Sequence, residues 1–282
     1  MNEDSPLVLK SIAEKIPVVI FAGGLGTRLS EETMNLPKPM VPVGGTPIIV
    51  HIMDFYAKFG FCQFVICGGY KIDQIKNYFL TLPYVEKNIE INFSENMHEV
   101  IVKPNKEPFH FNRNKWKVTI LETGLNSMTG HRVRQAVDYL NENTSYEHIC
   151  LTYGDGLTNA NLHEELKLHL NHTALGTVLA VHNPGRFGVF EFDDSNNKIL
   201  RFAEKPKEYI NGGYFILRKG FEKFLPENNP DSIFEKEPLQ NMAELGELVM
   251  YKHDGFWQCM DTKRDKDYLE NLWSSGEIPW MK

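Results

Sequence analysis

The sequence predicts an α/β fold with a mostly parallel mixed sheet. A short β-branched apolar run, PVVIF at 17–21, empties into the glycine-rich AGGLGTRL at 22–29, and strand-like and helix-like stretches alternate over the first ninety residues. A wholly apolar run of this length suits a strand covered on both faces, and alternation with helices is what parallel pairing needs. At 282 residues the chain can bury a core of its own.

The elements follow in order. Thr46 and Pro47 offer an N-cap and a first-turn proline for a helix to Lys58, with Ile48, Ile49, Ile52, Met53, Phe55, Tyr56 and Phe59 on a wide apolar face and Gly60 as its stop. FVIC at 64–67 is a second buried strand. A helix over Asp73–Leu80 and an alternating strand near Ile89–Phe93 continue the pattern. Residues 96–117, rich in Pro, Asn and Lys without a sustained period, read as an excursion or β-arm outside the core, able to act as a lid or subunit contact. Order returns with a strand at Val118–Glu122, a helix over His131–Leu140 and the strand HICLTY at 148–153, which ends in Gly154-Asp155-Gly156. A helix over Leu162–Leu170, strands at 174–181, 188–192 and 199–203, a turn at Asp193–Asn197, a turn at Asn211-Gly212-Gly213 and the strand YFIL at 214–217 come next. A short helix around Met242, a strand LVMYK at 248–252 and an amphipathic helix after Thr262, bearing Tyr268, Leu269, Leu272 and Trp273, close the chain. No linker divides it, so one domain is expected over 16–282, preceded by an extension at 1–15 that reads as a loosely docked helix.

Composition narrows the function. The 42% hydrophobic and 24% charged fractions exclude wholesale disorder and a disulfide scaffold. A net charge of −7 supplies no basic field for nucleic acid or an anionic membrane, so any anionic ligand must meet locally placed cations. Cys62, Cys67, Cys150 and Cys259 form no C-x-x-C pair and read as reduced thiols. No leader and no run of roughly 20 apolar residues is visible, which leads us to expect a cytoplasmic protein without a membrane span.

Chemistry is concentrated at strand ends. Gly23, Gly24 and Gly26 free the backbone to present N–H groups, and Arg28 sets a forked cation just behind them, so phosphate or nucleotide is the natural guest. A P-loop would need Gly-Lys-Ser/Thr after its second glycine, and a dinucleotide fingerprint starting at Gly24 would need a small residue in place of Leu29. Asp155 at a strand's C-terminal end is a further site candidate, with a turn residue as the plainer reading; for Asp261 the plainer reading is the N-cap of the last helix. His163, His169 and His172 have the spacing of a solvated helix face rather than a metal cluster.

The continuation GGLGTRLSEETMNLPKPMVPVGGTPII resembles the N-terminal signature of the sugar-nucleotide pyrophosphorylases, a nucleotidyltransferase family. The spacing from Gly-Thr-Arg to the Pro-Lys-Pro lysine makes that resemblance specific. HIMDFY, SMTGHR, TYGDG, PGRFG, EKPK, INGGYF, GFWQCMDTKRDK and LWSSGEIPW extend it over nearly all the chain from Ile16, most closely to the subgroup pairing CTP, and in some members UTP, with α-D-glucose 1-phosphate.

The resemblance implies a Rossmann-like three-layer fold of the nucleotide-diphospho-sugar transferase type. It implies that Arg28 and Lys38 face the triphosphate, that Lys205 faces the sugar phosphate, and that Asp155 and Asp261 hold Mg²⁺. Ala22, Gly23, Gly24, Gly26, Thr27, Ser127, Thr129, Arg132 and Gly154 would contact the nucleotide, and Asn211, Gly212 and Gly213 the sugar, with Gly185, Arg186 and Phe187 near the same pocket. A homo-oligomer and a role in surface polysaccharide, such as lipopolysaccharide, are also implied. His131 stands where the subgroup has glycine, Leu36 where a second lysine often precedes Pro-Lys-Pro, and the 100–117 excursion is longer than usual; each bears on substrate choice. The rival expectations are a transferase for another phosphorylated acceptor and a non-catalytic nucleotide-sugar-binding subunit.

Overall fold

The computed structural model describes residues 5–85, 88–93, 98–103, 113–182, 189–193, 195, 198–203 and 208–282. Its helices are α1 (Pro6–Ala13), α2 (Ser30–Thr33), α3 (Ile48–Lys58), α4 (Ile72–Val85), α5 (Thr129–Asn143), α6 (Leu162–Leu170), α7 (Glu237–Glu244) and α8 (Lys263–Ser274). The first strands are β1 (Pro17–Ala22), β2 (Pro42–Val43), β3 (Thr46–Pro47), β4 (Gln63–Gly68), β5 (Asn88–Phe93), β6 (His98–Lys103), β7 (Lys117–Glu122) and β8 (His148–Tyr153). The rest are β9 (Gly156–Thr158), β10 (Gly176–His182), β11 (Val189–Asp193), β12 (Lys198–Ala203), β13 (Tyr209–Arg218), β14 (Leu248–His253) and β15 (Trp257–Cys259).

Seven strands form the central sheet in the order β14-β10-β13-β8-β1-β4-β7. Only β13 runs against its two neighbours, so the sheet is mixed and mostly parallel, as expected. Strand β1 lies at its heart, every residue buried. Because side chains alternate along a strand, Val18 and Ile20 pack into one apolar layer with residues of α1, α3, α6 and α8. Val19 and Phe21 pack into a second layer with Val133, Ala136, Val137 and Leu140 of α5 and with Met242 of α7. Helices therefore cover both faces, which gives three layers. Each large side chain so buried contributes about 1.5–3 kcal/mol of transfer free energy.

Several expectations change. The strand at Ile89–Phe93 does not extend the main sheet: among the described residues β5 pairs with β6 alone, antiparallel, so part of the 96–117 excursion is a β-arm, while 104–112 lies outside the described residues. Thr46 is not an N-cap; it pairs with Val43 in a two-residue ladder, and α3 starts at Ile48 after Pro47. The Asn211-Gly212-Gly213 turn is instead part of β13, where an irregularity opposite Val178–Ala180 breaks the register and Gly213 takes φ +79°. The N-terminal helix is firmly docked, capped by Ser5 and burying Leu9 and Ala13 in the core.

The histidines in and just after α6 are not a solvated face either: His169 is buried, and His163 and His172 are half-buried. His169 is fully buried, with Nε2 3.2 Å from His148 Nδ1 and Nδ1 2.9 Å from Thr177 Oγ1, while His172 reaches the same hydroxyl and His163 reaches the Phe59 carbonyl. Burial, reinforced by neighbouring His148, Arg218 and His172, pushes the His169 imidazole down to about 3. All four cysteines are free thiols. No helix among the described residues is long and apolar enough to cross a membrane.

Candidate active site

The site gathers at the C-terminal ends of β1 and β8, where an open α/β sheet leaves a crevice. Past β1 the chain runs through Gly23, Gly24 and Gly26 into a 3-10 turn at Thr27–Leu29 that carries Arg28. Gly23 is required by close approach, since a Cβ there would sit 2.1 Å from Arg132 Nη1. Arg132, from the second turn of α5, is only 3% exposed. Its guanidinium donates to the carbonyls of Gly68 and Gly23 and to Thr123 Oγ1, at 3.0, 3.1 and 2.5 Å. It braces the back of the glycine loop and ties the end of β1 to the end of β4.

Past β8 come Gly154 and Asp155. The chain then enters β9, whose antiparallel partner is β15, with Gly156 opposite Cys259. That register sets Met260 against Asp155, joined by a backbone hydrogen bond of 2.8 Å, and delivers Asp261 to the same place. Asp261 is not the cap of α8. Thr262 is, in a capping box in which Asp265 accepts from the Thr262 N–H and hydroxyl, so the box fixes the backbone just beyond Asp261.

Lys38 closes the constellation. Its Nζ donates to Asp155 Oδ2 at 2.5 Å and to Asp261 Oδ1 at 2.6 Å. Burial alone would lower its pKa, but Asp155 and then Asp261 outweigh that and hold the ammonium above its ordinary range. For Asp261, burial pulls upward and is overcome by Lys38 and Arg28, which keep the carboxyl below the usual carboxylate range. Arg28 Nη1 stands 3.4 Å from Asp261 Oδ2 and is 76% exposed, free to reach a ligand. Two carboxylate oxygens thus converge on one cation position. The thiol of nearby Cys259 is pushed up to about 12 by burial and then by Asp261 and Asp155. Hard oxygen donors with open space beside them suit Mg²⁺, whose remaining positions go to water and phosphate oxygen. Among the described residues no group of three or more His, Cys, Asp or Glu side chains converges, here or elsewhere, so an ion at this place would rest on the two carboxylates.

Two cavities meet at this pair of aspartates. A cleft of about 340 Å³ is lined by Ala22, Gly23, Gly24, Gly26, Thr27, Arg28, Lys38, Ser127, Thr129, Arg132 and Gly154, so every residue expected at the nucleotide is gathered there. A second cavity of about 190 Å³ is lined by Gly212 and Gly213 with Tyr214, Trp257 and Cys259. Tyr153, Asp155 and Asp261 belong to both. Asn211, expected at the sugar, is exposed and lines neither cavity; its Oδ1 accepts from Gly213 N–H at 2.8 Å. Lys205, Gly185, Arg186 and Phe187 lie outside the described residues.

Sequence reasoning missed Tyr153, whose ring fills the space that a Cβ on Gly213 would take, and Trp257, whose indole donates to the Gly212 carbonyl at 2.7 Å. It also missed Glu235, which binds the hydroxyls of Tyr153 and Thr129. An aromatic ending an apolar strand looks like core, and a lone glutamate in a charged segment looks like solvent-facing surface, so neither carried a signal.

Comparison with known proteins agrees with this geometry. The sequence model described as Nucleotidyl transferase matches residues 17–271. The chain is 41% identical to a glucose-1-phosphate cytidylyltransferase of Salmonella typhi, covering 93% of this chain and 97% of that protein. It is 36% identical to a probable glucose-1-phosphate cytidylyltransferase of Bacillus subtilis, covering 93% and 98%. Among solved structures, HddC from Yersinia pseudotuberculosis complexed with GMP-PN superposes with a TM-score of 0.61 at 19% identity, over 92% of this chain and 99% of that one, a likeness of fold. With the model match spanning nearly the whole chain and the site residues gathered in one cleft, the protein belongs to the nucleotidyl transferase family.

Proposed function

We propose that the protein is a glucose-1-phosphate cytidylyltransferase: CTP and α-D-glucose 1-phosphate become CDP-glucose and pyrophosphate. The identity to curated enzymes of that activity over nearly their full length supports the reading. The observation that carries it in this chain is the meeting of two cavities at Asp155 and Asp261, with Lys38 between them.

In the reaction a phosphate oxygen of the sugar phosphate forms a bond to the α-phosphorus of CTP. The bond from that phosphorus to the bridging oxygen of the β-phosphate breaks, and pyrophosphate leaves. The attacking oxygen is already ionised, so no general base is needed, and catalysis reduces to alignment and charge neutralisation. The glycine loop, braced by Arg132, offers backbone N–H groups to the nucleotide, and Arg28 and Lys38 meet the triphosphate. The cavity beside Asn211, Gly212 and Gly213 takes the sugar. Asp155 and Asp261 would hold Mg²⁺, which when bound polarises phosphate oxygens and offsets their crowded charge. Lys205 is assigned to the sugar phosphate by resemblance.

A matrix of nucleoside triphosphates against sugar 1-phosphates, read by pyrophosphate release with Mg²⁺ present, tests this. Turnover is expected to be greatest for CTP with glucose 1-phosphate. Preference for another pair would replace the substrate assignment, and no turnover with any pair would leave a binding protein.

A further inference from the structure

We propose that Glu235 is a positioning residue that holds the nucleotide wall and the sugar wall of the site in register. This rests on the reading of the two cavities given above. Glu235 lies in the segment SIFEKEPL ahead of α7 and lines neither cavity. Its carboxylate nevertheless spans the two. Oε1 accepts from the Tyr153 hydroxyl at 2.5 Å, and Oε2 accepts from the Thr129 hydroxyl at 2.6 Å.

Each hydroxyl is committed to a different wall. Thr129 lines the larger cleft at the start of α5, and its Oγ1 also accepts from Phe234 N–H at 2.9 Å. The same segment is strapped across that helix end by Met128 N–H to the Pro230 carbonyl and Gly130 N–H to the Ser232 carbonyl, both 2.8 Å. Tyr153 forms the partition. Its ring lies against Gly213 of the sugar cavity, and its hydroxyl stands 3.4 Å from Asn211 Nδ2. Burial, followed by the charge of Glu235, keeps the phenol protonated and therefore a donor.

The chemistry selects a carboxylate here. One ionised group accepting from two hydroxyls makes two strong charge-assisted bonds, whereas a carboxamide has one oxygen to offer. Without the bridge no other polar group among the described residues holds the Tyr153 hydroxyl toward α5, and the partition that sets where the sugar phosphate stands relative to the α-phosphorus is released. Displacements of about 1 Å in an aligned site cost on the order of 100-fold in rate.

The test compares Glu235→Ala, Glu235→Gln, Tyr153→Phe and the double variant Glu235→Ala/Tyr153→Phe in the full chain. CTP affinity is read by calorimetry, the sugar phosphate by steady-state kinetics, and folding by circular dichroism. Glu235→Ala is expected to lower kcat/KM for the sugar phosphate about 10- to 100-fold while CTP affinity changes less than about threefold. Glu235→Gln should lose less, and the double variant should be no worse than Glu235→Ala, because both changes act through one contact. Wild-type kinetics in Glu235→Ala, multiplying effects in the double variant, or a loss confined to CTP affinity would each overturn the proposal. Should Glu235→Ala not fold, Glu235→Gln and Tyr153→Phe decide it, since Tyr153→Phe keeps both the carboxylate and the ring. A wild-type enzyme that prefers another sugar 1-phosphate sinks the substrate reading alone, and the variants are then compared on that sugar.

Discussion

The backbone N–H of Met260 donates to the carbonyl of Asp155 at 2.8 Å, one residue beyond the short β9–β15 ladder. Two carboxylates far apart in sequence are thereby held as neighbours by main-chain pairing, independent of their own side chains. Removing either carboxylate should therefore leave the backbone in place and act on the chemistry.

Asp155→Asn and Asp261→Asn are each expected to lower kcat about 100-fold or more, the scale on which a group that stabilises transition-state charge acts. The melting temperature should move by only a few degrees. Pyrophosphate release and thermal melts read the two effects separately. A variant of either kind with more than a tenth of wild-type turnover contradicts the metal assignment.

Lys38 occupies the point on which both aspartates converge. Lys38→Met should abolish measurable turnover and, in the absence of nucleotide, strengthen binding of Mn²⁺ as a probe by about tenfold or more, because the competing ammonium is gone. Electron paramagnetic resonance of free Mn²⁺ measures this directly. Equal Mn²⁺ affinity in the two proteins would show that the lysine does not shield the pair.

Gly23 and Gly24 should respond differently to alanine. A Cβ at Gly23 meets the Arg132 guanidinium at 2.1 Å, while one at Gly24 meets nothing within 4 Å. Gly23→Ala is expected to cost about 1–3 kcal/mol through overpacking, whereas Gly24→Ala should be close to neutral in stability. Chemical denaturation midpoints of the two variants supply the comparison.

The histidines under the sheet make stability depend on pH. His169 is held neutral in the fold, its pKa lowered to about 3 chiefly by burial, against an ordinary value near 6.5. Below pH 6.5 the unfolded chain takes up a proton that the folded one refuses, so stability is complete above that pH and falls as pH drops toward 3. His51, lowered to about 4 chiefly by burial, adds in the same direction. The difference in melting temperature between pH 7 and pH 5 should shrink in His169→Gln; an unchanged difference would assign the pH dependence elsewhere.

Leu9→Ala tests the docking of α1. Leu9 is 4% exposed within the main core, so truncation is expected to cost about 2–4 kcal/mol while kcat is retained.

Local signals made much of this legible. The apolar run ending at Ala22, the strand ending at Tyr153 and the spacing from Gly26 to Lys38 are contiguous features, and each led to the cleft. What escaped depends on long-range pairing. Nothing local distinguishes β5, which leaves the sheet for a hairpin, from a strand that joins it. The Asn211-Gly212-Gly213 stretch has turn composition, yet its glycines serve close approach to Tyr153 and Leu179 within a strand. His169 has the spacing of an exposed helical face and is buried because α6 turns that face toward Thr177 of β10. Arg132 carries a cation in a glycine-rich setting, and only the fold shows that its guanidinium is committed to two backbone carbonyls, of Gly23 and Gly68, and to the Thr123 hydroxyl.

The four charges around the cation position sum formally to zero: Arg28 and Lys38 against Asp155 and Asp261. A nucleoside triphosphate arriving there meets little net charge from these four, and the further described cation of the cleft, Arg132, lies behind the glycine loop; a triphosphate that arrives with its own divalent ion brings more. The constellation is therefore expected to take a metal–nucleotide complex in preference to the bare nucleotide, so that uncomplexed CTP in excess over Mg²⁺ should be a poor competitor; strong inhibition by free CTP would show the reverse.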